Sequence, residues 1–191
     1  LIDIPNQRRM TFGELEERVC RLVNGLTTTL KANKGDRVAV LSKNCIEYME
    51  IFFACARVGL IVQPLNWRLG EQELKQIIED ATPSVLISSG EYDKASERLM
   101  ANVEINSHLA FDQELESSYE LLLRDSSPIE PEASKHVGDQ DPVMILYTGG
   151  TTGRSKGALH SHKSVYMGML NQTVAERVVP TDVYMLTGQM F

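Results

Sequence analysis

Hydrophobic positions along the first half of the chain alternate between a helical period and short apolar runs. Leu15, Val19, Leu22 and Leu26 fall on one stripe of a helix, whereas the run at 37–42 has the length of a buried strand. The pattern predicts helices at 11–26, 44–58 and 71–80, and strands at 37–42, 61–65 and 84–88. Because strands and helices alternate, we predict an α/β fold with a mostly parallel sheet flanked by helices.

Local signals set the ends of these helices. Thr11 and Glu14 have the spacing of a capping box, in which each residue bonds the backbone N–H of the other. Asn44 and Glu47 repeat that spacing before the second helix. Gly59 follows the last apolar position of that helix and suits the left-handed conformation of a C-terminal cap. We therefore expect one helix to start at Thr11 and another to start at Asn44 and end at Gly59.

The remaining elements follow from weaker patterns. We predict a hairpin turn at 5–7, helices at 91–100, 115–123 and 163–177, and strands at 104–111, 143–147 and 183–186, with Ser161 as the cap of the last helix. The acidic, proline-containing stretch 126–141 is predicted to be a surface linker. The chain thus divides into an α/β lobe (1–125), a linker (126–141) and a final strand, loop, helix and strand (142–191).

Composition excludes several classes of protein. The chain has 191 residues, 42% of them hydrophobic and 24% charged, as in an ordinary globular protein. Its net charge of −7 argues against nucleic acid as a partner, because such binding needs cations that neutralise phosphates. The longest apolar run, 51–56, is too short for a transmembrane segment. Three widely spaced cysteines predict reduced thiols and a cytoplasmic location. Both ends of the chain look cut, which suggests that it is a piece of a longer protein.

One stretch, residues 147–157, carries the clearest chemistry. It reads Tyr-Thr-Gly-Gly-Thr-Thr-Gly-Arg-Ser-Lys-Gly and directly follows the predicted strand 143–147. Glycines allow backbone amides to approach a polyphosphate, hydroxyls add donors, and a lysine adds a mobile charge. The spacing does not fit the P-loop of nucleoside triphosphatases or a dinucleotide fingerprint. The plainer alternative, a glycine-rich turn with a solvated Lys156, is disfavoured because three further motifs point the same way.

The stretch resembles the phosphate loop of the adenylate-forming superfamily, which includes acyl-CoA synthetases. It departs from the family pattern at Gly149, where serine is common, and at Ser155, where proline is usual. Three other segments resemble family motifs in the same order, at 11–15, 35–40 and 56–69. The sequence of residues 64–69, Pro-Leu-Asn-Trp-Arg-Leu, is most similar to the corresponding sequence of long-chain fatty-acid–CoA ligases. The chain is therefore identified as resembling the N-terminal part of an acyl-CoA synthetase.

The resemblance implies an enzyme that activates a carboxylic acid with ATP and passes the acyl group to coenzyme A. It implies that the parent protein forms an acyl-adenylate and pyrophosphate with help from Mg²⁺, and that this part alone is inactive. Lys156 would be catalytic and Thr148 would approach the Mg²⁺. The residues implied in binding the ATP phosphates are Thr148, Gly149, Gly150, Thr151, Thr152, Gly153, Lys156 and Gly157.

Several alternatives stay open at this point. A noncatalytic scaffold with the same fold, an adenylate-forming enzyme with another acid or acceptor, and a kinase-like module are compatible with the sequence. His160 and His162 are two residues apart, but a surface or capping role is favoured over a metal pair. A homodimer also stays open. Trp67 and Arg68 could line its contact, although packing within their own loop is favoured.

Overall fold

The computed structural model describes residues 1–112, 116–132, 136–149 and 155–191. The strands are β1 Ile2–Asp3, β2 Arg8–Arg9, β3 Arg37–Leu41, β4 Ile61–Pro64, β5 Val85–Ser89, β6 Ser107–Phe111, β7 Pro142–Thr148 and β8 Lys156–Ser161. The helices are α1 Phe12–Asn24, α2 Ile46–Val58, α3 Glu71–Ala81, α4 Asp93–Met100, α5 Ser118–Asp125 and α6 His162–Glu176. A π-helical turn, Gly25–Thr29, extends α1, and a 3₁₀ turn, Gly90–Tyr92, precedes α4.

A six-stranded sheet forms the centre of the fold, in the order β6-β5-β3-β4-β7-β8. The four contacts from β6 to β7 are parallel, and only β8 runs antiparallel to its neighbour β7. The predicted mostly parallel sheet flanked by helices is confirmed. The strand β8 is an addition, since the sequence pattern predicts no strand between the glycine-rich stretch and the last helix. The short pair β1 and β2 forms the predicted hairpin at the start of the chain.

Helices cover both faces of this sheet, and the alternation along β3 shows how. Val38 and Val40 belong to the first core cluster, which packs against α1, α2 and α5. Ala39 and Leu41 belong to the second core cluster, which packs against α3 and α4. Since successive side chains of a strand point to opposite faces, one buried strand supplies both clusters.

The ends of α1 and α2 test the predicted caps. The Thr11 hydroxyl accepts from the Glu14 N–H at 3.2 Å, and the Glu14 carboxylate accepts from the Thr11 N–H at 2.7 Å, so that capping box is confirmed. Gly59 ends α2 with φ of 73°, also as predicted. The cap predicted at Asn44 is wrong. Helix α2 has Cys45 at its N-cap, without a side-chain bond to the helix.

Asn44 instead holds a distant part of the backbone. Its side-chain nitrogen donates to the Gly188 carbonyl at 2.6 Å, and its side-chain oxygen accepts from the Met190 N–H at 3.0 Å. Both bonds reach across most of the chain, which explains why a local capping pattern misjudged this residue. The segment before Phe191 is thereby fixed beside the end of β3.

A buried ion-pair network joins three helices below the sheet. Arg18 of α1 donates to Glu50 of α2 at 2.7 Å and to Glu120 of α5 at 2.6 Å. The hydroxyl of Tyr119 donates to Glu50 at 2.8 Å. Burial raises the pKa of the Glu50 carboxyl, while its bonds to Arg18 and Tyr119 act in the opposite direction. The charge on Glu50 is therefore tolerated in the interior because Arg18 is paired with it.

The last helix, α6, is packed very differently. The Ser161 hydroxyl accepts from the Ser164 N–H at 3.2 Å and caps the helix as predicted. Its bulky apolar side chains nevertheless lie exposed, namely those of Tyr166, Met167, Met169, Leu170 and Val174. The predicted strand at 183–186 is wrong, because these residues form no regular element and lie exposed without a neighbouring strand in the described part of the chain. None of the helices formed by the described residues is long and apolar enough to cross a membrane.

Candidate phosphate-binding site

Strands β7 and β8 form an antiparallel hairpin whose connection, residues 149–155, is the glycine- and threonine-rich stretch. The strand register places Thr148 opposite Lys156, and Tyr147 opposite Gly157. Side chains of directly opposed residues share one face of the sheet. The side chains of Thr148 and Lys156 therefore start from the same face of the sheet at the neck of the loop. Both residues belong to the motif at 147–157, but the sequence does not predict that a strand pair brings them together.

Lys156 is available for an anion. Its side chain is exposed at the first position of β8. No ion pair joins it to any residue in the described ranges, although other lysines such as Lys34 and Lys43 are paired with carboxylates. An exposed ammonium group without a carboxylate partner can meet a phosphate without first giving up another ion pair.

The other predicted phosphate ligands divide into two groups. Gly150, Thr151, Thr152 and Gly153 lie outside the described residues. Gly149 lies within them, is exposed, and has open space where a side chain would begin. An open backbone at this position is what close approach of a phosphate requires.

Gly157 has a packing role that the sequence does not reveal. A Cβ atom there would lie 2.7 Å from Cδ1 of Ile145 and 3.0 Å from Cζ of Tyr147. Such distances are shorter than real contacts, so any larger residue would displace the two side chains of β7. Gly157 therefore allows β7 and β8 to approach with the Tyr147 ring lying across it.

Tyr147 also links the hairpin to α3. Its hydroxyl donates to the carboxylate of Asp80, which is the penultimate residue of that helix. Burial of the phenol, followed by the bond to Asp80, raises the pKa of Tyr147. A cavity of about 250 Å³ lies beside this contact and is lined by Gln76, Ile77, Glu79, Asp80 and Ser155. Ser155, which directly precedes β8, thus lies close to the exposed side of α3.

The carboxyl ends of β3, β4 and β7 meet at the same edge of the sheet, where ligands of α/β proteins bind. Trp67, which follows β4, has the Lys43 ammonium 5.6 Å and the Arg68 guanidinium 4.8 Å from its ring centroid. The Phe191 ring meets it edge-on, with centroids 6.4 Å apart. Arg68 lies in the same loop as Trp67, whereas Lys43 and Phe191 belong to distant parts of the chain, so Trp67 packs against its own loop and against two other segments.

Side chains that could bind a metal ion do not cluster in the described part of the chain. No group of three or more His, Cys, Asp or Glu side chains there is arranged to hold a metal ion. His160 lies on β8, whereas His162 begins α6, so the two do not share a strand face. His108 bonds the hydroxyl of Ser88 at 2.8 Å, a partner that the sequence did not suggest. The Thr148 hydroxyl is a ligand that Mg²⁺ accepts alongside phosphate oxygens.

The chain is similar in sequence to several known proteins. A family model described as AMP-binding enzyme matches residues 1–191. Feruloyl-CoA synthase from an Amycolatopsis species is 33% identical over 182 residues, which cover 95% of this chain and 34% of that protein. The long-chain-fatty-acid–CoA ligase FadD13 of Mycobacterium tuberculosis is 31% identical over 162 residues, covering 83% of this chain and 31% of that protein.

Solved structures give the same result for the fold. ATP-bound MatB from Rhodopseudomonas palustris superimposes with a TM-score of 0.80 at 28% identity, covering 93% of this chain and 34% of that one. The chain spans about a third of the length of the curated relatives described above. The similarity therefore concerns one portion of longer proteins.

Proposed function

The chain belongs to the AMP-binding enzyme family, and from this premise we propose that it is the N-terminal part of an ATP-dependent ligase joining a carboxylic acid to coenzyme A. The relatives' names support the reaction class, since feruloyl-CoA synthase and FadD13 both make acyl-CoA thioesters. The structural similarity to an ATP-bound protein supports ATP as the nucleotide.

The observation that carries this proposal is the neck of the β7–β8 hairpin. There the register sets Thr148 beside Lys156, and the lysine is exposed with no ion-pair partner among the described residues. A hydroxyl and a free cation next to a glycine-rich backbone are suited to a triphosphate. The opposite arrangement, a lysine paired with a neighbouring carboxylate, would have argued against phosphate binding.

The proposed reaction begins when a carboxylate oxygen attacks the α-phosphorus of ATP. The bond between that phosphorus and the bridging oxygen breaks, and pyrophosphate leaves with the electron pair. Negative charge accumulates on phosphate oxygens, so the protein contributes by positioning and electrostatics. A coenzyme A thiol then displaces AMP from the acyl-adenylate.

Each predicted site residue has a proposed part in that step. Lys156 neutralises the β- and γ-phosphates and so stabilises the departing pyrophosphate. The backbone amides of the loop glycines and the loop threonine hydroxyls donate to phosphate oxygens, at Gly149, Gly150, Gly153, Thr151 and Thr152. Gly157 contributes through the close approach of the two strands. When bound, Mg²⁺ would share the phosphate charge, and the Thr148 hydroxyl is the described group suited to hold it.

The acid substrate is proposed at two levels. A carboxylic acid follows from the reaction class, but the relatives' names include an aromatic acid and a fatty acid. We favour a fatty acid because the sequence of residues 64–69 is most similar to that of fatty acyl-CoA synthetases. A panel of acids of different length and aromatic character, compared by kcat/KM in the full-length enzyme, tests this choice.

We further propose that residues 1–191 form the N-terminal part of a larger AMP-binding domain, with 1–125 as its α/β lobe and 126–141 as a linker. The exposed apolar side chains of α6 support this, because exposed patches of this kind usually mark a contact surface. The chain covers only 34% of the length of feruloyl-CoA synthase, which also supports this proposal. A cytoplasmic location and a homodimer stay predictions.

The test of the proposed function is exchange of labelled pyrophosphate into ATP by the full-length protein in the presence of a carboxylic acid. Replacing Lys156 with alanine should remove about 2–4 kcal/mol of transition-state stabilisation, by analogy with the loss of one preorganised donor. The matched control is Lys163→Ala, which removes an exposed lysine from the start of α6. Exchange that survives Lys156→Ala at the control's rate would remove Lys156 from the mechanism.

Binding of Mg-ATP separates the ligase from a noncatalytic scaffold. Calorimetry on the full-length protein should give heat on titration with Mg-ATP and a markedly weaker signal for Lys156→Ala. A scaffold would give no heat with either protein. Release of ADP rather than AMP during turnover would instead indicate a kinase-like transfer of the γ-phosphate.

A further inference from the structure

The inner side of β7 lies against β4, and the registered pair between the two strands precedes the carboxyl end of β7. The parallel ladder between β4 and β7 is registered at Val62 and Met144. Tyr147 lies three residues further along, at the point where the chain leaves the sheet for the phosphate loop. Side-chain contacts must therefore contribute to fixing this end of the strand.

Tyr147 makes three contacts that can do so. Its ring lies across Gly157, and a Cβ atom added to that glycine would lie 3.0 Å from Cζ of the ring. The ring also packs against the second core cluster, and its hydroxyl donates to the Asp80 carboxylate. The first contact fixes β8 against β7, and the last two fix both strands against α3.

The position of Lys156 depends on this arrangement. Gly157 is its immediate neighbour, and Thr148, the partner opposite Lys156, is the immediate neighbour of Tyr147. A small shift of the Tyr147 ring would therefore move both halves of the neck. Such a shift would weaken the contact of Lys156 with a bound phosphate, and partial loss of a binding contact raises KM for ATP.

We propose that Tyr147 and Asp80 are positioning residues that set the geometry of the phosphate loop through their hydrogen bond. The inference rests on the proposed function, since it assigns these two residues to the same ATP site. Neither of them contacts the phosphates in this proposal. They act through Gly157 and Lys156, and the interaction joins α3 to the hairpin.

The test compares substitutions at both ends of the bond in the full-length enzyme. Tyr147→Phe keeps the ring over Gly157 but removes the donor, and Asp80→Ala removes the acceptor. Each should raise KM for ATP about two- to tenfold, the range expected for one lost hydrogen bond, while kcat changes less than twofold. Asp80→Asn keeps an acceptor oxygen and should restore a KM close to that of the wild type.

A double-substitution cycle identifies the bond itself. If the two residues act through one interaction, Tyr147→Phe with Asp80→Ala together should raise KM no more than either change alone. Tyr166→Phe and Glu97→Ala are the matched controls, because Tyr166 lies exposed on α6 and Glu97 lies exposed on α4. An unchanged KM in both single variants, or effects that multiply, would overturn the proposal.

A second measurement does not depend on catalysis. Amide hydrogen exchange in the peptide that spans 148–157, without nucleotide, should become about two- to tenfold faster in Tyr147→Phe and Asp80→Ala. Asp80→Asn should exchange like the wild type. If the wild type lacks pyrophosphate exchange, the proposed ligase function fails, and this measurement still decides whether the bond orders the loop. Equal exchange in all variants would refute the positioning role.

Discussion

Helices α1 and α6 have similar lengths and both begin with a hydroxyl cap, yet they relate to the rest of the protein in opposite ways. In α1, Leu15, Val19, Leu22 and Val23 are buried in the first core cluster. In α6 no residue is buried, although the helix contains tyrosine, methionine, leucine and valine. Both helices therefore begin at a hydroxyl cap. Of the two, α1 packs against the core because its apolar residues form an amphipathic stripe.

The comparison shows that the number of hydrophobic residues in a helix does not by itself indicate whether the helix packs against the core. The apolar residues of α1 recur at helical spacing and leave a polar face for Glu16, Glu17 and Arg21. Those of α6 are spread around the helix, so no single orientation buries them against one sheet. We expect substitutions in α1 to change global stability and those in α6 to change mainly local structure.

The largest expected effect comes from the charged side of α1. Arg18→Met should lower the free energy of unfolding by about 3–5 kcal/mol, because it leaves Glu50 buried with its cation removed. The measurement is equilibrium urea unfolding at pH 7 and at lower pH. Arg98→Met, which breaks an exposed pair with Glu71, is the control and should cost less than about 1 kcal/mol.

The pH dependence of that loss has a definite sign. A carboxyl whose pKa is raised by burial binds its proton more tightly in the folded state than in the unfolded state. Lowering the pH through the raised pKa therefore favours the folded form, and the deficit of Arg18→Met should shrink. A deficit that is the same at every pH would show that lost packing, rather than the uncompensated charge of Glu50, causes it.

The next effect compares one leucine in each helix. Leu22→Ala in α1 should cost about 2–5 kcal/mol, since its side chain is fully buried. Leu170→Ala in α6 should change the unfolding free energy by less than about 0.5 kcal/mol, because its side chain is 42% exposed. Urea unfolding of the two variants measures the difference. Equal losses would mean that α6 is packed in solution as firmly as α1.

The smallest effect compares the two caps. Thr11→Ala should lower the free energy of unfolding by about 0.5–2 kcal/mol, because α1 is part of the cooperative core. Ser161→Ala should reduce the helical circular dichroism signal at 222 nm with little change in the urea midpoint. If both variants shift the midpoint equally, α6 unfolds together with the core and the contrast fails.

Much of the fold could be predicted because its signals are local. The capping box at Thr11, the glycine stop at Gly59 and the alternating elements between them are each set by residues close in sequence. Short-range chemistry of this kind is visible without knowledge of the partner strand or helix. The order of the strands in the sheet carries no such local signal and came only from the structure.

The failures have a common physical cause. Strand β8, with only one large aliphatic residue, Leu159, is extended because it pairs with β7, and a pairing partner is not visible in its own sequence. The apolar run at 183–186 has the pattern of a strand but pairs with no strand in the described ranges. Asn44 has the spacing of a cap but bonds Met190 instead. In each case a long-range contact, or its absence, overrides the local preference.

The site shows the same division. Thr148 and Lys156 could be named from the motif, because the residue types themselves report phosphate chemistry. Their alignment across a strand pair, and the bond from Tyr147 to Asp80, join residues that are distant in sequence. The sequence therefore supplies the proposal of which groups meet a nucleotide, and the structure shows which contacts surround them.

The adjacency of β4 and β7 in the sheet affects how the protein folds during synthesis. These two strands touch in the sheet, but residues 65–141 lie between them in the chain. During synthesis, β3 to β6 can associate well before β7 leaves the ribosome, since domains form from the amino end as the chain emerges. Strands β7 and β8 are then added to an existing scaffold. Pairing of strands so far apart in sequence is slower than pairing of close neighbours.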